Sequence, residues 1–65
     1  MTTESVIRLA RKHLGGKMES SARLTLKDAV EAWDAGKVGF ARELALLSLR
    51  YSIGILHPDY ERASK

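Results

Sequence analysis

Two histidines and eight acidic residues are the side chains of this 65-residue sequence that could both transfer a proton and hold a metal ion. His13 and His57 belong to different predicted elements and lack the i, i+4 spacing that places two imidazoles on one helix face. The sequence contains no cysteine, which excludes thiolate ligands and disulfides. These residues predict no catalytic site, no cofactor and no metal centre, so we expect a protein that is not an enzyme.

The remaining candidate groups for chemistry fit structural roles. The acidic residues Glu31 and Asp34 share a predicted helix with Lys27, which is typical of ion pairs on a helix surface. Gly15 and Gly16 lack the flanking pattern of a phosphate-binding loop, and we interpret them as a linker. Neither group adds a reactive site to the sequence.

The tripeptide His57-Pro58-Asp59 resembles the motif with which J-domain cochaperones stimulate their partner ATPase. The similarity is confined to these three residues, because the helix before the motif is apolar here and strongly basic in that family. A proline ends a helix and disfavours helical geometry at the residue before it. We therefore interpret Pro58 as the end of the preceding helix and Asp59 as the cap of a short terminal turn, within a polar tail over residues 58–65.

A cluster of basic residues could contact phosphate groups: Arg8, Arg11, Lys12 and Lys17. Such contacts are independent of nucleotide sequence and sensitive to salt. The chain carries 11 basic and 8 acidic residues, a net charge of +3 that permits an anionic partner without requiring one. No recognition-helix signature follows the cluster. The pattern favours a solvated helix face, and nucleic-acid binding through these four residues is the alternative function.

Length and composition predict a single small folded domain over residues 1–65. The sequence is 45% hydrophobic and 29% charged, too apolar for a disordered chain and too charged for a membrane protein. Its longest nearly uncharged stretch, residues 44–56, is shorter than the roughly 20 residues that a membrane-spanning helix needs. Residues 1–8 lack the pattern of a secretion signal. We therefore expect a cytoplasmic protein that does not contact a membrane.

Hydrophobic periodicity predicts an all-α fold with three helices. The predicted helices cover about 4–14, 18–35 and 38–57. At the first helix, Thr2 or Thr3 can supply the N-cap oxygen. Gly36 follows the second helix, at the position where glycine commonly provides a left-handed C-cap residue. Gly36 is therefore the predicted turn of a central αα-hairpin.

The start of the second helix has two interpretations. Thr25 and Asp28 resemble a capping box, which predicts a start at Thr25. Alternatively, an apolar stripe spaced by three or four residues begins at Met18 and continues to Trp33. We favour the start near Met18, because two glycines already break the chain before it and the stripe indicates one continuous face. The same stripe predicts that Trp33 lies in the core.

The third predicted helix carries apolar residues over more than half of its circumference. One apolar ridge consists of Phe40, Leu44, Leu47, Tyr51 and Ile55. A second ridge lies on another side, and a strip of small residues that includes Ser48 runs between the two. Glu43 and Arg50 lie on the one consistently polar arc. Such a helix is expected to be central, with a neighbour on each ridge.

The apolar faces of the third helix need more cover than two neighbouring helices of so short a chain provide. We expect a second copy, or another helical protein, to complete the bundle by packing against this helix. The predicted protein interface consists of Phe40, Leu44, Leu47, Ser48, Tyr51 and Ile55, with third helices paired across the small strip. The predicted function is that of a small non-enzymatic module or accessory subunit for protein–protein interaction.

Residues 25–58 resemble the helical hairpin of a tetratricopeptide repeat. Gly36 stands where that family places glycine in the turn between helices, and Ala41 where it places the small residue at the helix crossing. Ser48-Leu49 takes the place of the family's Ala-Leu pair, and Pro58 that of its closing proline, about five residues late. The tryptophan, leucine and glycine expected early in the first helix of a repeat are not matched. The resemblance implies a protein-binding role.

Overall fold

The computed structural model describes residues 1–14 and 20–65. In these two ranges the chain forms helices and no strands. The four helices are α1 Thr3–Lys12, α2 Ser20–Asp34, α3 Val38–Ile53 and α4 Pro58–Ser64. The predicted all-α class is confirmed, but the described residues form four helices where the sequence predicted three.

Local sequence signals explain the ends of α1. The backbone N–H of Ser5 donates to the hydroxyl oxygen of Thr2 at 3.1 Å, so Thr2 is the N-cap. Glu4 lies in the first turn and Arg11 in the last, where each charge complements the helix dipole. The helix ends at Lys12, two residues before the predicted end.

The described part of α2 begins at Ser20. Helical residues therefore precede Thr25, which excludes the interpretation that the helix starts there. The Thr25 hydroxyl instead donates to the backbone carbonyl of Ser21 at 2.7 Å, one turn earlier in the same helix. The favoured start near Met18 and the linker Gly15-Gly16 lie outside the described residues.

The turn between α2 and α3 forms around Gly36, as predicted. Gly36 has a φ of 81°. Its N–H donates to the carbonyl of Trp33 at 3.0 Å, and the N–H of Lys37 donates to the carbonyl of Ala32 at 2.9 Å. This pair of bonds is a Schellman cap, which satisfies two carbonyl groups at the end of the helix. The chain then runs back along α2 as an antiparallel hairpin.

The end of α3 differs from the prediction. The helix ends at Ile53, because Gly54 adopts φ 84° and ψ 163°, a backbone region that is essentially restricted to glycine. His57 is extended and caps α4, with its ring Nδ1 accepting from the backbone N–H of Asp59 at 3.0 Å. Pro58 takes the first helical position, where no N–H is needed. The proline predicted to end one helix therefore begins the next.

The predicted polar tail over residues 58–65 is consequently wrong, as is the role of Asp59 as a cap. Pro58–Ser64 is the helix α4, and it packs against α3 with Ala63 fully buried. Proline at the first position, followed by the acidic residues Asp59 and Glu61 in the first turn, is a typical start of a helix.

α3 is the central helix and contacts each of the other three. The core is rich in alanine, which allows helix backbones to approach closely: Ala10, Ala22, Ala29, Ala32, Ala41, Ala45 and Ala63 are all buried. Leu49 and Val6 are the largest fully buried apolar side chains. The chain itself thus encloses the side of α3 that carries Ala41, Ala45 and Leu49. The opposite side of the helix remains at the surface.

Candidate interaction surface on the third helix

One side of α3 exposes a continuous row of apolar side chains. The row, here called the α3 ridge, consists of Phe40, Leu44, Leu47 and Tyr51, and its spacing of three or four residues follows one helix face. Phe40 is 54% exposed, Leu47 36%, Tyr51 46% and Ile55, just beyond the helix, 54%. Leu44 is half-buried and packs against the core. Four of the six predicted interface residues therefore lie together on one helix face, and Ile55 is exposed just beyond the end of the helix.

The α3 ridge and the neighbouring Ile55 expose a sizeable apolar area. An aromatic side chain presents roughly 150–250 Å², so the half-exposed rings of Phe40 and Tyr51 together present about 200 Å². With Leu47, and with Ile55 just beyond the helix, the exposed apolar area is on the order of 350 Å². The largest apolar patch on a monomer is typically about 300–600 Å² and is often functional.

The sixth predicted interface residue, Ser48, does not lie on the surface. Its side chain is fully buried, and its hydroxyl donates to the carbonyl oxygen of Ala22 in α2 at 2.8 Å. Ala41 and Ala45, on the same side of α3, are also fully buried. The prediction that third helices pair across the small strip is therefore wrong, because the chain's own helices already occupy it.

A groove of about 330 Å³ lies beside the α3 ridge, between the end of α2 and the start of α3. Its lining consists of Ala32, Ala35, Phe40 and Leu44 together with the polar residues Asp28, Glu31 and Lys37. The sequence did not indicate this groove, since it forms only when α2 and α3 pack side by side. It extends the apolar surface of the ridge towards α2.

Two opposite charges border the α3 ridge on the side away from the groove. Glu43 and Arg50 are exposed and lie seven residues apart, about two helical turns. In the part of the chain that the structure describes, neither makes a salt bridge. Arg42 differs, because its guanidinium donates to the backbone carbonyls of Met1 and Ala63 within the fold. Glu43 and Arg50 can therefore pair with charges on a partner.

The predicted phosphate-contacting residues lie on another surface. Arg8, Arg11 and Lys12 are exposed on α1, and Lys17 lies outside the described residues. Arg8 and Arg11 line a cleft of about 300 Å³ between α1 and α2. Glu4 and Asp34 line the same cleft, and Glu4 lies 3.8 Å from Arg8. Two carboxylates thus accompany the two guanidinium groups, so the cleft is not a purely positive surface.

Trp33 lines this cleft and is not part of the core. Its side chain is 38% exposed, contrary to the prediction from the stripe, whereas Ala22, Leu26 and Ala29 of the same stripe are buried. Closely packed, alanine-rich helices leave no volume for an indole between them. Trp33 therefore lies at the edge of the contact between α1 and α2, beside Ile7.

Four titratable side chains meet where the end of α1 lies against the start of α4. Nε2 of His13 donates to one carboxylate oxygen of Asp59 at 2.9 Å, and the guanidinium of Arg62 donates to the other. The rings of His13 and His57 are edge to face, with centroids 5.3 Å apart. Hydrogen bonds from His13 and Arg62 lower the pKa of Asp59, against the opposing effect of desolvation. The charged carboxylate thus links α4 to α1.

Sequence reasoning did not bring these residues together, because His13 and Asp59 lie 46 positions apart. One local pattern could have indicated α4. Pro58 followed by acidic residues is typical of a helix start, and a helix at this position would be expected to pack against the other helices. The arrangement links two helices. Within residues 1–14 and 20–65 it gathers no group of three or more side chains placed to hold a metal ion.

Asp59→Asn is expected to lower the free energy of unfolding at pH 7, because the amide keeps the shape but loses the charge that His13 and Arg62 bind. The pKa of Asp59 is lower in the folded state, so its contribution is present above the unfolded-state pKa and disappears as pH falls through the folded value. The difference between wild type and variant should therefore shrink below about pH 4.

Urea unfolding at several pH values measures this effect. Glu61→Gln is the matched control, since it makes the same carboxylate-to-amide change in an exposed pair with Lys65 and should have little effect at any pH. If Asp59→Asn lowers the stability equally at neutral and at strongly acidic pH, the link through the Asp59 charge is wrong.

The fold and the exposed face define a small all-α protein with an alanine-rich core and an uncovered apolar ridge. Among the described helices none is both long and apolar enough to cross a bilayer. Comparison with protein-family models, with curated proteins and with solved structures finds no match. The similarity to a tetratricopeptide hairpin stays a prediction from the sequence.

Proposed function

We propose that this protein is a small non-enzymatic interaction module that associates through the α3 ridge, with a second copy of itself as the partner. The observation that carries the proposal is the exposure of Phe40, Leu47 and Tyr51 in one row on the central helix of the fold. A partner that covers the ridge removes this apolar surface from water, and that transfer favours association.

The size of the chain supports the same proposal. A domain of about 60 residues buries only about 60% of the surface that its unfolded chain exposes. Small domains commonly add disulfides, metals or association to reach a useful stability. The sequence has no cysteine, so a disulfide does not contribute here. A second copy on the α3 ridge would add apolar burial that one chain lacks.

The antiparallel pair of α2 and α3 supports a protein-binding role by analogy with the tetratricopeptide hairpin that residues 25–58 resemble. In such repeats, a hairpin cannot bury its apolar face alone and needs a neighbouring hairpin to cover it. Another helical protein is the alternative partner for the same ridge. A cytoplasmic location, predicted from the sequence, fits either partner.

Leu47→Glu is expected to dissociate the assembly while leaving each chain folded. Leu47 lies in the middle of the ridge, so a carboxylate there must lose its water when the partner binds. We expect the dissociation constant to rise at least about thirtyfold, equivalent to about 2 kcal/mol. Sedimentation equilibrium over a dilution series measures this constant, and circular dichroism verifies the helicity. Tyr51→Glu should act in the same direction.

Val38→Glu is the matched control, because it places the same charge on an exposed apolar residue of the same helix. Val38 and Leu47 lie nine residues apart, so their side chains point to opposite sides of α3. This variant should keep the wild-type dissociation constant. Association through the ridge is wrong if Leu47→Glu and Tyr51→Glu both retain the wild-type mass, or if Val38→Glu dissociates the protein equally.

The alternative function, nucleic-acid binding through the basic side of α1, receives less support from the geometry. Glu4 and Asp34 share the cleft of Arg8 and Arg11. Phosphate backbones favour surfaces on which positive charge is clustered. The mixed charges of the cleft therefore favour association through α3 over nucleic-acid binding.

A further inference from the structure

We propose that two copies pack α3 against α3 in opposite directions around a two-fold axis beside Leu47, so that Glu43 of each chain meets Arg50 of the partner subunit. This inference rests on the proposed self-association through the α3 ridge and adds the arrangement of the two chains. It specifies the partner surface as the same ridge, bordered by the same two charges.

Glu43, Leu47 and Arg50 share the exposed face of α3. At about 100° per residue, positions 43 and 50 differ by only about 20° around the helix, so both lie on the same border of the ridge. Their separation along the axis is about 10 Å, with Leu47 between them. One negative and one positive charge thus lie on either side of the middle of the ridge.

A two-fold axis near this midpoint reverses the partner helix. Position 43 of one chain then lies opposite position 50 of the other, and the symmetry repeats the contact, so each dimer contains two pairs of opposite charge. Phe40 comes within about one helical turn of Tyr51 of the partner subunit, which brings aromatic side chains together at both ends of the contact. The ridge and its charges are therefore complementary to themselves.

Parallel packing of the two helices would not bring these charges together. A two-fold axis parallel to the helices would place the border of one chain that carries Glu43 and Arg50 on the opposite side of the contact from the same border of its partner. Neither pair of opposite charges would then form. The apolar ridge supplies affinity in either direction, whereas the charges favour the antiparallel one.

Charge reversal tests this arrangement. Glu43→Arg and Arg50→Glu should each raise the dissociation constant about tenfold, because either change converts both attractive pairs of the dimer into repulsive ones. The double variant Glu43→Arg/Arg50→Glu restores opposite charges at both contacts and should return the constant to within about threefold of the wild-type value. Sedimentation at about 0.05 M salt limits screening of these exposed charges.

Arg23→Glu is the matched control for Arg50→Glu. It makes the same change of net charge at an exposed position of α2, in a cleft that α1 lines and the α3 ridge does not. The control should leave the dissociation constant unchanged. A loss of affinity caused by net charge alone would affect Arg23→Glu and Arg50→Glu equally and would overturn the proposed pairing.

The outcomes separate this inference from the proposed function. If Leu47→Glu dissociates the protein but the single charge reversals do not, the antiparallel pairing is wrong while association through the ridge stands. If both single variants weaken the dimer and the double variant does not recover, Glu43 and Arg50 do not meet each other and the pairing is again wrong. If Leu47→Glu and Tyr51→Glu both leave the mass unchanged, the proposed function itself fails.

Discussion

Leu49→Ala is expected to lower the free energy of unfolding by about 2–5 kcal/mol. Leu49 is fully buried on the inner side of α3 and is one of the largest side chains of the core. It belongs to a closely packed core cluster rich in alanine, so its truncation should leave a cavity that the surrounding structure fills only in part. A chain of this length has about 3–10 kcal/mol of stability in total, so this loss is a large fraction of it.

Chemical denaturation monitored by circular dichroism measures the effect of Leu49→Ala. Leu56→Ala is the matched control, because it removes the same atoms from a side chain that is 93% exposed, and it should change the stability by less than about 0.5 kcal/mol. Equal losses in the two variants would contradict the position of Leu49 in the core.

Gly54→Ala is expected to lower the free energy of unfolding by about 1–3 kcal/mol through backbone strain alone. Gly54 ends α3 with φ 84° and ψ 163°. A Cβ at this position would meet no atom within 4 Å, so crowding does not contribute. The strain should destabilise the turn that carries the chain from α3 to α4.

Gly39→Ala is the matched control for Gly54→Ala, because the two sites differ in backbone conformation and not in the space around the added Cβ. Gly39 is helical, and a Cβ there would also meet no atom within 4 Å. Alanine in place of a helical glycine stabilises by about 0.5–1 kcal/mol. Thermal unfolding should therefore show a higher melting temperature for Gly39→Ala and a lower one for Gly54→Ala. A shift of both variants in the same direction would contradict the assigned end of α3.

Helix ends that are determined by a single residue could be predicted from the sequence. The N-cap at Thr2 and the turn at Gly36 each depend on one residue type at one position, and both form as expected. The end of α3 is harder to predict from the sequence, because the apolar pattern continues through Ile55 to Leu56, beyond Gly54. A glycine inside an apolar pattern is compatible with a helix, so Pro58 looked like the stronger stop.

The α3 ridge could be predicted only in part. The sequence shows that several sides of α3 are apolar, but not which sides α1, α2 and α4 cover. The small size of Ser48 predicts an interface position, because a small residue allows any helix to approach closely, but α2 of the same chain takes that place. The position of Trp33 in the apolar stripe predicts a core residue. The small volume between alanine-rich helices excludes it.

The link between His13 and Asp59 could not be predicted from local patterns at all. It depends on how α4 packs, and the sequence predicts a polar tail in place of α4. This contact depends on the path of the chain after Gly54. The chain changes direction there, between α3 and α4. The lowered pKa of Asp59 depends on the distances from its carboxylate to His13 and Arg62, and these distances cannot be predicted from the sequence.

The most direct test of association through the α3 ridge is the mass of the wild-type protein by light scattering across a roughly hundredfold dilution, with thermal unfolding at each concentration. The proposed function predicts a dimer at high concentration that dissociates on dilution, with a melting temperature that rises with concentration. A monomer at every concentration, with a constant melting temperature, would contradict it.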